Sequence, residues 1–215
     1  MKQEIADIRI NYSKKSLSET EVATDPIAQF QSWWQEAVNS QLSEVNAMTL
    51  ATADADGLPD ARIVLLKGFT PAGFVFFTNY QSRKGKELEQ NPHACLVFFW
   101  KELERQVRIT GRVSKVSPEE SDQYFYSRPV GSQIGAIASP QSAVIPNRTL
   151  LDEQTQALTN LAAAGQPIIR PDHWGGYRVT PGAVEFWQGR PSRLHDRLRY
   201  TLQADQQWKI ERLAP

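Results

Sequence analysis

The feature that most constrains the fold of this 215-residue chain is a series of short β-rich runs, closely spaced and separated by turn chemistry. Runs at 48–53, 61–67 and 73–79 are divided by Asp54-Ala55-Asp56-Gly57 and Thr70-Pro71-Ala72-Gly73, the residue types that chain reversals require. Strands are expected again at 94–100 and 105–116, and then at 176–179, 183–187, 194–203 and 208–212. Helices are fewer. Asp25-Pro26 reads as a cap and first helical residue, followed by Ile27, Phe30, Trp34 and Val38 at helical spacing. A helix at 82–89 stops before Asn91-Pro92. Ser117-Pro118-Glu119-Glu120 starts another, and two more are expected at 130–138 and 149–163. Without βαβ alternation, this order favours a mainly β antiparallel barrel with peripheral helices over a doubly wound sheet. One domain over 24–215 is expected, preceded by a polar, mobile segment at 1–23.

Near the C-terminus, Arg193, His195, Arg197 and Arg199 recur at two-residue spacing. A strand over this run would put all four on one face, where lone buried charges are costly without anionic partners. A small anionic ligand would explain the row; so would a solvated edge strand whose charges block aggregation. The chain as a whole has 24 Lys plus Arg against 24 Asp plus Glu, so the row is a local feature. That balance argues against a general nucleic-acid or membrane-surface binder. The single cysteine, Cys95, excludes an intrachain disulfide, and no Cys/His cluster has metal-ligand spacing, so no metal is expected. No apolar run is long enough for a signal core or a bilayer span, and a cytoplasmic protein is the expectation.

Four other stretches gather polar groups. Arg62-Ile-Val-Leu-Leu-Lys67 carries a cation at each end, which also fits a buried strand with solvated ends. Ser82-Arg83-Lys84-Gly85-Lys86 places cations at a helix start, where the dipole disfavours them unless an anion is bound. Tyr124-Phe-Tyr-Ser-Arg128 leads through Pro129 to Ser132, an arginine and hydroxyl that could grip a phosphate or could be ordinary loop chemistry. Gln141-Ser142 lies in a polar loop. Trp187 could pack on a planar ring or belong to the core. Nucleophile-elbow, Walker and dinucleotide-binding signatures are missing, so the residues suit a cofactor that carries the chemistry itself.

Taken in order, these motifs resemble the pyridoxine/pyridoxamine 5′-phosphate oxidase family. The resemblance runs from Arg9-x-x-Tyr12 through Arg62–Lys67, Phe77-Thr78-Asn79, Ser82-Arg83-Lys84 and Leu103-Glu-Arg-Gln106-Val. It continues through Tyr124-Phe-x-Ser-Arg128-Pro, Ser132-Gln-Ile-Gly135, Gln141-Ser142, Trp174-Gly-Gly and Glu185-Phe-Trp187-Gln-Gly. It ends with Arg193-Leu-His195-Asp-Arg197 and Trp208-Lys-Ile-x-Arg-Leu-Ala-Pro215. It implies a homodimeric FMN-binding split β-barrel of Greek-key type, with sites at the subunit interface and 174–215 supplying dimerisation and active-site strands. It also implies oxidation of pyridoxine 5′-phosphate or pyridoxamine 5′-phosphate to pyridoxal 5′-phosphate by O2, with release of H2O2 and, from the amine, ammonia.

By the same resemblance FMN is held by Arg62, Ile63, Val64, Leu65, Leu66 and Lys67, by Phe77, Thr78, Arg83 and Lys84, and by Gln106, Gln141, Ser142, Trp187 and Arg197. The substrate phosphate meets Lys67, Tyr124, Arg128 and Ser132. Arg193, Leu194 and His195 lie at the pyridine ring, with Arg193 and His195 as the catalytic pair, and Arg9 and Tyr12 form a lid. Phe77 replaces a tyrosine found in some relatives, 13–22 lacks their arginine run, and Arg199 falls in no motif. The rivals are a split-barrel oxidase of phenazine biosynthesis and a non-catalytic flavin- or haem-binding barrel. A purely structural dimeric barrel would leave the cations after Ser82 unexplained.

Overall fold

The computed structural model describes residue 5 and residues 11–215. Nine strands, β1 (Ala47–Ala53), β2 (Pro59–Leu65), β3 (Gly68–Thr70), β4 (Gly73–Asn79), β5 (His93–Trp100), β6 (Arg105–Lys115), β7 (Trp174–Gln188), β8 (Asp196–Leu202) and β9 (Trp208–Arg212), join in one hydrogen-bonded sheet. Its main path runs β2-β1-β5-β6-β7-β4-β3, with β8 on β7 and β9 on β8. The five helices are α1 (Pro26–Asn39), α2 (Arg83–Gln90), α3 (Pro118–Ser127), α4 (Val130–Ala138) and α5 (Thr149–Ala163). The caps follow the sequence. Asp25 accepts N–H bonds from Ile27 and Ala28, Ser82 from Gly85, and Ser117 from Glu120.

The chain divides into two compact units. One comprises the described residues up to Leu50 with Cys95–Gly111 and Pro181–Pro215. Its core packs Phe30 on Phe98 at 5.2 Å, Trp33 on Phe186 at 5.1 Å and Phe186 on Tyr200 at 5.5 Å, all buried. Antiparallel pairing sets Trp187 opposite Arg197 and Glu185 opposite Arg199. The other unit comprises Ala51–Ala94 and Arg112–Thr180. There β3 pairs with β4, and β4 with β7 so that Phe77 faces Gly176 and Thr78 faces Gly175 across the ladder. Phe74, Phe76, Phe125, Tyr177 and Val179 are its buried centre.

Three local expectations are corrected. The runs at 176–179 and 183–187 are one strand, β7, and Pro181 interrupts nothing because it falls between the ladders to β4 and β8. The run expected at 61–67 begins earlier and ends sooner, as β2 over Pro59–Leu65, with Leu66 and Lys67 between it and β3, which starts at Gly68. The strand expected from Leu194 begins only at Asp196, because Pro191–Arg193 form a 3-10 turn in which Ser192 and Arg193 take positive φ (56° and 63°). Arg193 and His195 therefore do not share a strand face with Arg197 and Arg199. The last two have carboxylates of their own, Glu185 at 2.9 Å and Glu211 at 3.2 Å.

Candidate active site

A cavity of about 770 Å³ opens in the unit that carries β2, β3 and β4. Ile63, Val64, Leu65 and Lys67 form one wall, Phe77 and Thr78 of β4 another, and Lys84 enters from the first turn of α2. Tyr124, Arg128, Ser132 and Gln141, also expected from sequence, line it too, joined by Asn79, Pro129, Gly135, Ala136, Ser139 and Trp174. Trp174 carries more than its place in a motif suggested. It stacks with Phe77 at 5.6 Å and with Tyr124 at 6.1 Å, while Phe77 and Tyr124 stack at 4.0 Å. The glycines after it permit this approach, since a Cβ at Gly176 would lie 2.8 Å from the Phe77 ring. The Trp-Gly-Gly triplet was the available signal.

The three cations that line this cavity, Lys67, Lys84 and Arg128, form no ion pair with a carboxylate among the described residues. The Arg128 guanidinium lies 4.8 Å over the Trp174 ring, and its buried Nη1 has no hydrogen-bond partner among the described residues. Burial lowers its proton affinity. Lys84 is 8% exposed, with Nζ 3.4 Å from both Thr78 Oγ1 and Gln141 Oε1, and forms no ion pair among the described residues. Burial and then the nearby Arg62 charge push the Lys84 amine below its ordinary value. Exposed Lys67 approaches the Tyr124 ring to 5.9 Å. Buried cations without internal anions fit an anionic ligand.

Arg62 and Arg83, by contrast, are neutralised within the chain, which corrects the idea that every cation after Ser82 needs an external anion. Arg83 pairs with Glu87 at 2.9 Å and Asp60 at 3.0 Å, and Arg62 with Asp60 at 2.6 Å and Glu87 at 3.1 Å. Burial opposes ionisation of Glu87, but bonds from Thr52, Arg83 and Arg62 outweigh it and hold the carboxyl below its usual range. Of the other expected residues, Leu66 is core at 5% exposure, and Ser142 is an exposed loop residue at φ 71°.

The other unit holds a second cluster. Trp187 and His195 lie 4.7 Å apart, and the Tyr12 ring meets them edge-on at 5.8 and 5.9 Å. Arg190 N–H donates to His195 Nδ1 at 3.1 Å. Burial and then the Arg193 charge lower the His195 pKa from its ordinary 6.5. Arg193 is exposed and forms no ion pair among the described residues, and Leu194 is 70% exposed. Arg197 is aligned by Glu185, whose other oxygen takes Arg108 at 3.4 Å. Gln106 is half-buried on β6. Arg9 lies outside the described residues.

Comparison with known proteins gives these features a class. The solved structure of PhzG from Burkholderia lata, in complex with tetrahydrophenazine-1-carboxylic acid, matches 94% of this chain and all of its own with a TM-score of 0.88 at 31% identity. An FMN-binding protein related to pyridoxamine 5′-phosphate oxidase from Nostoc punctiforme matches at 0.70 over 90% of this chain and 100% of its own, at 16% identity, and shows the fold alone. The architecture is the FMN-binding split barrel, and the cofactor is FMN.

The family model for pyridoxamine 5′-phosphate oxidase matches residues 34–162, and that for the pyridoxine 5′-phosphate oxidase C-terminal dimerisation region matches 174–215. Relatives named pyridoxine/pyridoxamine 5′-phosphate oxidase are 60% identical in Burkholderia lata (98% of this chain, 99% of that one) and in Acaryochloris marina (98% and 95%). The chain belongs to the pyridoxamine 5′-phosphate oxidase family, a family of flavin-dependent oxidoreductases, and its dimerisation region supports a homodimer.

Proposed function

We propose that this chain oxidises pyridoxine 5′-phosphate and pyridoxamine 5′-phosphate to pyridoxal 5′-phosphate, with O2 as the final acceptor, H2O2 as product and ammonia released from the amine. The observation that carries the reading is Arg128. Its side chain lines the cavity with Lys67, Tyr124 and Ser132, and its buried Nη1 has no hydrogen-bond partner among the described residues. Four donors of this kind match the several acceptor oxygens of a phosphate ester better than one carboxylate. The names of the 60%-identical relatives support the same substrate.

In this reading the backbone of Arg62–Lys67, together with Phe77, Thr78 and Gln141, shapes the FMN site, and Lys84, which forms no ion pair among the described residues, supplies positive charge. Arg62 and Arg83 reach the cofactor from a network already fixed by Asp60 and Glu87. Gln106, Ser142, Trp187 and Arg197 complete the set in the homodimer. Bound FMN supplies the hydride acceptor. The protein's residues bind and orient: Arg193 covers the pyridine ring, and Arg9 and Tyr12 close over the substrate. His195, neutral with its proton on Nε2, donates a hydrogen bond to the reacting oxygen or nitrogen. Positioning of this kind accounts for roughly 7–11 kcal/mol of barrier in well-oriented reactions.

The close structural match to PhzG supports a second reading, a tricyclic carboxylate as substrate. Turnover assays on the FMN-loaded protein separate the two. Pyridoxal 5′-phosphate and peroxide should form from either phosphorylated vitamer, with little turnover of the unphosphorylated vitamin. Turnover of tetrahydrophenazine-1-carboxylic acid alone would overturn the proposal in favour of the second reading.

A further inference from the structure

Glu104 ends a short 3-10 turn in the left-handed region (φ 56°, ψ 40°), a conformation that a glutamate adopts only at a cost. It is 7% exposed and forms no ion pair among the described residues. Its Oε2 accepts instead from two consecutive backbone N–H groups, Ser13 at 2.9 Å and Lys14 at 3.0 Å. A buried carboxylate is costly unless such donors satisfy it, and hydrogen bonds to a charged acceptor are the stronger kind. Both donors immediately follow Tyr12.

The backbone carbonyl of Glu104 faces the other way. It accepts from Gly189 N–H at 2.7 Å and from Gln188 Nε2 at 3.1 Å. Gly189 is the notch into which Tyr12 fits, because a Cβ there would lie 2.7 Å from Tyr12 Cγ and 2.8 Å from its Cβ. One residue thus holds the segment after Tyr12 by its side chain and the floor beneath Tyr12 by its backbone. The ring so placed touches Trp187 and His195.

We propose that Glu104 is the latch of the substrate lid, a positioning residue that acts through Tyr12, with Gly189 as its seat. This rests on the reading that Tyr12 closes over the substrate. Opening the lid removes both N–H donors from a buried carboxylate, so closure and the solvation of Glu104 are coupled. Glu104→Gln keeps an acceptor oxygen and retains part of the latch; Glu104→Ala releases it. Gly189→Ala evicts the Tyr12 ring while leaving the carboxylate intact.

The test uses FMN-loaded protein and two readouts. Limited trypsin digestion should cut after Lys14 and Lys15 about tenfold faster in Glu104→Ala than in the wild type, the order expected from losing charge-assisted bonds. Glu104→Gln should fall between, and the melting temperature and FMN content of Glu104→Ala should be unchanged. In steady-state kinetics with pyridoxine 5′-phosphate, Glu104→Ala, Gly189→Ala and Tyr12→Ala should each raise KM about tenfold, with kcat changed much less. The Glu104→Ala/Tyr12→Ala double variant should be no worse than Tyr12→Ala alone.

Wild-type cleavage rates and wild-type KM in both Glu104→Ala and Gly189→Ala would overturn the latch. So would a general rise in cleavage with loss of FMN in both, which marks a structural role. Absence of turnover with either vitamer, with cleavage still accelerated at Lys14 and Lys15, would sink the substrate reading and leave the latch standing.

Discussion

The backbone N–H of Arg190 donates to Nδ1 of His195 at 3.1 Å, which leaves Nε2 as the protonated nitrogen of the neutral ring. Burial and then the Arg193 charge both disfavour the imidazolium and hold the His195 pKa below its ordinary value. An NMR titration of the FMN-loaded protein should give a His195 midpoint below 6.5. Arg193→Ala, which removes the second cause, should move that midpoint upward. A wild-type midpoint above 6.5 would contradict this environment.

In the proposed reading Arg128 donates to the substrate phosphate from a guanidinium held 4.8 Å over the Trp174 ring. Its removal costs a charge-assisted hydrogen bond, so Arg128→Ala should raise KM for pyridoxine 5′-phosphate about 10- to 100-fold. At saturating substrate, kcat should fall by a smaller factor. Arg128→Lys should recover only part of the loss, because an ammonium neither stacks nor forks as a guanidinium does. An unchanged KM would remove Arg128 from the phosphate grip.

Glu87 anchors Arg62, Arg83 and Thr52 from a side chain that is 6% exposed. Its folded pKa lies below 4.5, so its ionisation contributes stability that is present above the unfolded value and is lost as pH falls through the folded one. Glu87→Gln should therefore lower stability by about 1–3 kcal/mol at pH 7, measured by urea unfolding. The gap between variant and wild type should narrow on acidification below pH 4.5. A gap that stays constant to low pH would mean that the charge is not what stabilises this network.

Most elements were legible because their signals are local. Asp25-Pro26 and Ser117-Pro118 set their helix starts through side chains two or three residues away from the amides they cap. The cavity residues were legible by resemblance, since Lys67, Thr78, Arg128 and Gln141 meet only through the link between β2 and β3, β4, the C-cap of α3 and the loop after α4. What sequence hid was tertiary. Period-two spacing extended the last basic run into a strand, whereas the turn at Pro191–Arg193 breaks it before Asp196. Arg83 looked unpaired in sequence because its carboxylates lie elsewhere, Asp60 some twenty residues upstream and Glu87 one helical turn on. The Glu104 bond to the segment after Tyr12 spans about ninety residues, beyond any local pattern.

The most direct measurement is the visible spectrum of the FMN-loaded protein without oxygen, before and after addition of pyridoxine 5′-phosphate. The flavin band should bleach on addition and return when air is admitted, and pyridoxamine 5′-phosphate should do the same. Flavin that stays oxidised with both phosphorylated vitamers would contradict the proposed reaction.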